Sequence, residues 1–327
     1  MIDRENTVCN LCGSGRSRPY LRKFGQPIVK CLRCGLVYVN PRLPENELFK
    51  RYNQDYFVKE YLPAFGATAR DFSLDVALNR YGLFFEILRK SALPGRRVLD
   101  IGAGAGFFVK AARHLGWDAE GVEFSEAAAA YGRNILQVPL QTGKFGALEI
   151  PPASFDAVVM LDTLEHLRDP LGDLQKTREI LKPDGLLLLH TPDLRSLSRF
   201  FLGQGWAAFS PEEHLYYFRR KTLANILRKA GFESVEIRNL TQFNPDYTHD
   251  KTTRRYRRWK IRYDRWYAAP LRMSGQGAPS DRAQPAARSL RAAASATFTI
   301  RAARVSGRRA SAIQPRSIFR AEGGNAA

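Results

Sequence analysis

An α/β fold, built on a doubly wound, Rossmann-like sheet and preceded by a small cysteine module, is what the amino-acid sequence predicts, and three observations predict it. Between residues 95 and 240, β-rich runs at 97–101, 119–123, 155–161, 186–190 and 234–237 alternate with helix-period segments, the pattern of βαβ units around a parallel sheet. The first run leads straight into three alternate glycines, Gly102, Gly104 and Gly106, and then into a helical pattern. All four cysteines, Cys9, Cys12, Cys31 and Cys34, lie in the first 34 residues.

The cysteine module spans residues 1–44. Its spacing is C-x2-C, eighteen intervening residues, then C-x2-C, which brings four thiolates around one tetrahedral ion, with zinc the leading choice. Glycine after each second cysteine, Gly13 and Gly35, permits the tight turn that aims amides at sulfur. Four thiolates close the coordination sphere and leave no position for water, so the ion is expected to be structural. An apolar strand at 35–41, closed by Asn40-Pro41, ends this zinc ribbon. Residues 45–92 form a helical prelude, since Leu74, Ala77, Leu78, Tyr81, Phe84, Phe85 and Leu88 recur at three-to-four spacing.

Residues 93–240 hold the sheet. Ser125 followed by Glu126 suits a helix start, and Gly116 and Gly231 stand where helix ends are expected. In 241–267 the aromatics Tyr256, Trp259, Tyr263 and Trp266 fall on one face of a basic helix. Residues 268–327 contain ten Arg, no Lys and seventeen Ala without a sustained period, a composition expected to be disordered.

The formal charge of +19 is uneven, because residues 250–327 carry 18 basic and 4 acidic side chains. The body is nearly ordinary in charge, which weakens any argument for nucleic-acid binding from the total alone. No apolar run reaches the ~18–20 residues that span a bilayer, and the opening residues lack a signal-peptide core, so a cytoplasmic protein is expected.

The glycine turn is the strongest chemical signal. Glycines let backbone approach a ligand closely, and the helix that follows offers free amides. A dinucleotide fingerprint would need glycine at position 107, where this chain has Phe107, so NAD and FAD are disfavoured. A second strand ends at Glu123, nineteen residues past Gly104, where a carboxylate can accept both hydroxyls of a ribose.

With these motifs the sequence resembles the class I S-adenosylmethionine-dependent methyltransferases over about residues 70–240, most closely the branch that includes ubiquinone-biosynthesis O-methyltransferases. The first motif of that family looks like Asp100 to Gly106, its ribose acid like Glu123, and its segment after the fourth strand like residues 155–170. The resemblance implies that Gly102, Gly104, Gly106 and neighbouring amides cradle the methionine part of S-adenosylmethionine. It also implies that Asp100 supports that part by hydrogen bonds, that Glu123 holds the ribose, and that Gly143 and Asp162 complete the cofactor set. The family often carries an acid near the end of its third strand for the adenine amine; here the segment reads Leu140-Gln141-Thr142-Gly143-Lys144, so amides or apolar packing near Gly143 are the substitute.

Methyl transfer is an in-line displacement, and orientation alone supplies effective molarities of ~10⁵–10⁸ M. A general base is an addition to this. His166, placed at the opening of the helix after the fourth strand, and His214, a polar group in an aromatic setting, are the candidate catalytic bases. Trp206 and Tyr217 are further candidates for lining an acceptor pocket. The chain is also similar to methyltransferases with an N-terminal C-x2-C…C-x2-C ribbon, which implies a small-molecule, sugar or glycan acceptor. Two other functions stay open at this point: an RNA methyltransferase using the ribbon to bind RNA, and a non-catalytic S-adenosylmethionine-binding scaffold. For 254–267 a helix docked on the domain competes with a contact to an anionic membrane surface.

Overall fold

The computed structural model describes residues 3–69, 71–240 and 297–303. An antiparallel hairpin of β1 (Ser17–Lys23) and β2 (Gln26–Cys31) is followed by β3 (Val37–Val39). The helical prelude is broken rather than continuous: α1 (Glu45–Arg51), short helical turns over 54–64, and then α2 (Leu74–Lys90). Ser73 caps α2 by accepting from the Val76 amide, and Ala77, Phe84, Phe85 and Leu88 form its buried stripe.

The βα units follow as β4 (Arg97–Ile101), α3 (Phe107–His114), β5 (Asp118–Glu123), α4 (Glu126–Asn134), β6 (Leu140–Thr142), β7 (Phe155–Leu161), α5 (Pro170–Ile180) and β8 (Leu181–Pro192). Next come α6 (Leu197–Leu202), β9 (Tyr216–Tyr217), α7 (Arg220–Lys229), β10 (Ser234–Leu240) and β11 (Thr297–Ala303). The large sheet has the order β10-β11-β8-β7-β4-β5-β6, with β6, β5, β4, β7 and β8 parallel and β11 antiparallel to both neighbours. Strand order reverses beside β4, and ligands of such sheets bind at the carboxyl ends of the strands at that point. Val98, Leu99, Val158, Val159, Leu187 and Leu188 are fully buried, as strands covered on both faces require.

Two expectations are corrected here. Residues 268–327 are not without structure throughout, because Thr297–Ala303 is an inner strand of the sheet: Ile300 pairs with Leu189 on one side and with Ile237 on the other. The remaining residues of 241–327, the basic aromatic stretch 254–267 among them, lie outside the described residues. The strand expected at 186–190 is longer, because the turn-forming Pro183-Asp184-Gly185 is absorbed as a bulge in β8, where the register against β7 shifts between Phe155 and Ala157.

The cysteine module does not stand apart. Its sheet has the order β1-β2-β3-β9, so its fourth strand is Tyr216–Tyr217 from the far side of the sequence. Cys9, Leu11, Cys31, Leu36 and Tyr38 share one buried cluster with Val158, Leu187, Phe218 and Leu227. Among the described residues no helix is long and apolar enough to cross a membrane.

Candidate active site

β4 ends at Ile101 and the chain turns through Gly102 and Gly104 in the left-handed region, φ +76° and +54°. A Cβ on Gly102 would lie 2.5 Å from the Thr163 hydroxyl, and one on Gly104 2.0 Å from the Tyr61 hydroxyl. Side chains are excluded there by strain and by space. Glu123, at the end of β5, accepts from the Gly104 amide at 2.8 Å and from the Ser125 amide at 2.8 Å, which fixes its carboxylate beside the turn. Burial pushes Glu123 above the usual carboxylate range, and these amides oppose the shift. Asp100 is 4% exposed and is pushed up to about 8, by burial first and then by the charge of Glu123.

The described structure brings the remaining cofactor candidates to the same edge. Gly106 opens α3 in the left-handed region. Gly143 donates its amide to the Glu123 carbonyl at 2.9 Å, and Leu148 stands 3.1 Å from where its Cβ would be, an apolar flank at the end of β6. Asp162, closing β7, holds φ +52°, a strained conformation for a non-glycine residue. Its carboxylate meets His190 Nδ1 at 2.9 Å. Burial alone would raise Asp162, yet the His190 charge and hydrogen bond hold it below the usual carboxylate range.

His166 and His214 are neighbours, with ring centroids 4.6 Å apart and planes at 90°. The Glu165 carbonyl joins them by accepting the Leu215 amide at 2.8 Å and the Tyr216 amide at 3.2 Å, which ties the segment after His214 to the turn after β7. His214 Nδ1 donates to the Ala208 carbonyl at 2.8 Å, leaving Nε2 with the lone pair. His166 Nδ1 lies 3.3 Å from the Tyr52 hydroxyl. Burial lowers both rings, His166 to about 3, so both imidazoles are neutral near pH 7. Glu165 is 1% exposed; one oxygen accepts from the Thr191 hydroxyl at 2.8 Å and the other has no partner. Burial, followed by the Asp162 charge, raises Glu165 well above the usual range. One donor atom each from Glu165, His166 and His214 falls within 4.8 Å of the others, a spacing that a cation could also bridge.

Three sequence expectations change. His166 does not open a helix: α5 starts four residues later at Pro170, with Asp169 as its cap, because proline is favoured in the first turn. Trp206 and Tyr217 do not line the site; both are buried with Ile28, Val39 and Phe209 under the cysteine module. Tyr61 was not anticipated. Its hydroxyl accepts the Ala105 amide at 3.2 Å, and its ring stacks on Phe57 at 5.5 Å. The aromatic density of 52–65 is the sequence signal that points to it.

The four cysteine sulfurs lie within 4.8 Å of one another, with Cys9 and Cys34 3.4 Å apart and Cys12 and Cys31 3.5 Å apart, and none is in a disulfide. A tetrahedral site with Zn–S of about 2.3 Å has edges of roughly 3.8 Å, so this donor set fits the ion. Amides of Arg33 and Cys34 draw Cys31 down to about 7 although burial acts to raise it, while burial pushes Cys34 up to about 11.

A sequence profile of the methyltransferase domain matches residues 73–237, half of the chain. The ubiquinone biosynthesis O-methyltransferase of Paraburkholderia phymatum is 28% identical over 167 residues, 47% of this chain and 71% of that protein. The protein of the same name from Xanthomonas campestris pv. campestris is 34% identical over 121 residues, 35% of this chain and 50% of that protein. Among solved structures, a Haemonchus contortus phosphoethanolamine N-methyltransferase 2 with S-adenosylhomocysteine bound superposes with TM-score 0.51 at 19% identity, over 82% of this chain and 62% of that one. The [4+2]-cyclase SpnF superposes with TM-score 0.52 at 18% identity, over 81% and 99%, and at these identities both show the fold alone. With a glycine turn, a buried carboxylate beside it and a profile that matches half of the chain, the protein belongs to the class I S-adenosylmethionine-dependent methyltransferases and is an enzyme of that family.

Proposed function

We propose that the enzyme methylates a hydroxyl of a small-molecule, sugar or glycan acceptor, with His214 and His166 managing the acceptor's proton. The observation that carries this is the pair of buried neutral imidazoles held beside the carboxyl ends of β4 and β7. S-adenosylmethionine, when bound, supplies an electrophilic methyl on a sulfonium that loses its charge in the transfer. The residues of this chain orient and deprotonate: Glu123 and the side-chain-free face of the glycine turn hold the cofactor, the amides of Gly102 to Gly106 being bonded within the chain, and His214 Nε2 takes a proton from an acceptor hydroxyl. His166 fixes the ring of His214 from the side. Relatives named for O-methylation in ubiquinone biosynthesis support a hydroxyl as the methylated group.

The cysteine site is proposed to hold one structural zinc, on the fit of its four sulfurs. Gly106, Gly143 and Asp162 complete the proposed cofactor contacts.

Two measurements test this reading. Calorimetry with S-adenosylhomocysteine is expected to show Glu123→Ala weakened by about 10–150-fold, the loss of a charge-assisted bond of about 1.5–3 kcal/mol. A radiolabelled-methyl assay over phenols, sugar derivatives, glycans and RNA is expected to label a hydroxyl compound and to lose ~10²–10⁴-fold in His214→Ala. Label appearing in RNA alone would replace the acceptor class, and full activity in His214→Ala would remove the base.

A further inference from the structure

The lobe formed by the β1–β2 hairpin and the segment 194–211 carries three exposed aromatic rings that no part of the methyl-transfer site uses. Phe24 at the hairpin tip is 64% exposed, and Phe200 and Phe201 on α6 are 76% and 72% exposed. The two elements are packed together. Lys23 Nζ donates to the Trp206 carbonyl at 3.2 Å, Arg199 donates to the Tyr20 hydroxyl at 3.4 Å, and the Tyr20 and Phe209 rings meet edge to face. Beneath them lies one small apolar core of Ile28, Val37, Val39, Trp206, Phe209 and Tyr217. The rings are therefore anchored on a built base, and large apolar groups left in water on such a base mark an interaction surface.

Charge says what the surface meets. From residue 6 to residue 41 the sequence holds Arg16, Arg18, Arg22, Lys23, Lys30 and Arg33 and not one Asp or Glu, while Arg42 just beyond is paired with Glu5. From 194 to 211 it holds Arg195 and Arg199, again with no acid. Arg18 and Arg22 on β1 and Arg195 before α6 are exposed. Lys23 sits 5.1 Å from the centroid of the Phe24 ring, so cation and aromatic occupy one spot at the tip.

We propose that this lobe seats the enzyme on an anionic lipid surface, with Phe24, Phe200 and Phe201 entering the acyl boundary and the flanking Arg and Lys meeting lipid phosphates. Nucleic acid fits the same charge but not the rings. Phe200 and Phe201 stand at 81° to each other and offer no common plane for successive bases, and one face of Phe24 is taken by Lys23. A second copy of the chain fits poorly as well, since an isologous contact would press two acid-free basic lobes together.

The test uses the full chain. Wild-type protein and the triple variant Phe24→Ser/Phe200→Ser/Phe201→Ser are sedimented with vesicles of phosphatidylcholine and with vesicles containing about a third phosphatidylglycerol, at low and high salt. Thermal unfolding of both proteins confirms that the substitutions at exposed sites leave the fold intact. The wild type is expected to pellet with the anionic vesicles, less so at high salt, and the triple variant to lose at least tenfold in partitioning. Equal partitioning of the two proteins overturns the proposal and moves the contact elsewhere in the chain. Failure of the wild type to bind anionic vesicles also overturns it. In that event, variant-sensitive binding to tRNA would assign the lobe to nucleic acid, and a variant-sensitive dimer in ultracentrifugation would assign it to a second copy.

Discussion

At the residue scale, Asp100, proposed to support the methionine part of the cofactor, is placed where folding alone would not choose a carboxyl. A carboxyl 4% exposed beside a second carboxylate is poorly placed for stability. In the unfolded chain it ionises near 3.8, and in the folded chain at about 8. Between these values the folded form keeps a proton that the unfolded form releases, so stability falls as pH rises through the window and levels off above it. The slope reaches at most about 1.4 kcal/mol per pH unit. Asp100→Asn removes this dependence. The advantage of the variant in urea unfolding without cofactor is expected to grow from pH 5 to pH 8, while its affinity for S-adenosylhomocysteine falls; an advantage independent of pH would show that Asp100 is ionised in the fold. Gly104→Val is expected to abolish S-adenosylhomocysteine binding in calorimetry, because a side chain at φ +54° is strained and meets Tyr61.

At the element scale, the agreement between sequence and structure follows the physics of each strand. β4 and β7 are legible because strands buried on both faces are continuous apolar runs, and the glycine turn follows β4 at once. α2 is legible from its stripe. β11 is not, because Thr297-Phe298-Thr299-Ile300 is a short β-branched run inside an Ala- and Arg-rich stretch whose composition outweighs it. The meeting of His166 and His214 is invisible in the sequence for another reason: it depends on backbone bonds from the Glu165 carbonyl to Leu215 and Tyr216, which carry no side-chain signature. Truncation before Thr297 tests the strand. It strips β8 of its partner along Leu186 to Pro192, and the shortened protein is expected in the insoluble fraction; a soluble product with unchanged cofactor affinity would show that β11 is dispensable.

At the scale of the whole molecule, the cysteine module and the proposed reaction centre are one mechanical unit. β9 pairs with β3 on one side, and its first residue, Tyr216, bonds the Glu165 carbonyl two residues from His214. Loss of the proposed zinc therefore acts at a distance. Chelation is expected to lower methyl transfer by at least tenfold while changing S-adenosylhomocysteine affinity less, because Glu123 and the glycine turn lie on the other half of the sheet. Activity and metal content measured along one chelator titration check this, and full turnover by metal-free protein would separate the two parts.

The place of β11 between β8 and β10 also sets a schedule for synthesis. The strand is specified about a hundred residues after β8, yet it must lie against β8 before the sheet is complete. At ribosomal rates of about 5–20 residues per second, the apolar edge of Leu186–Leu189 stays uncovered for on the order of 5–20 s in every nascent chain. The sheet of this enzyme closes late, after all but the last few of its described residues have been made.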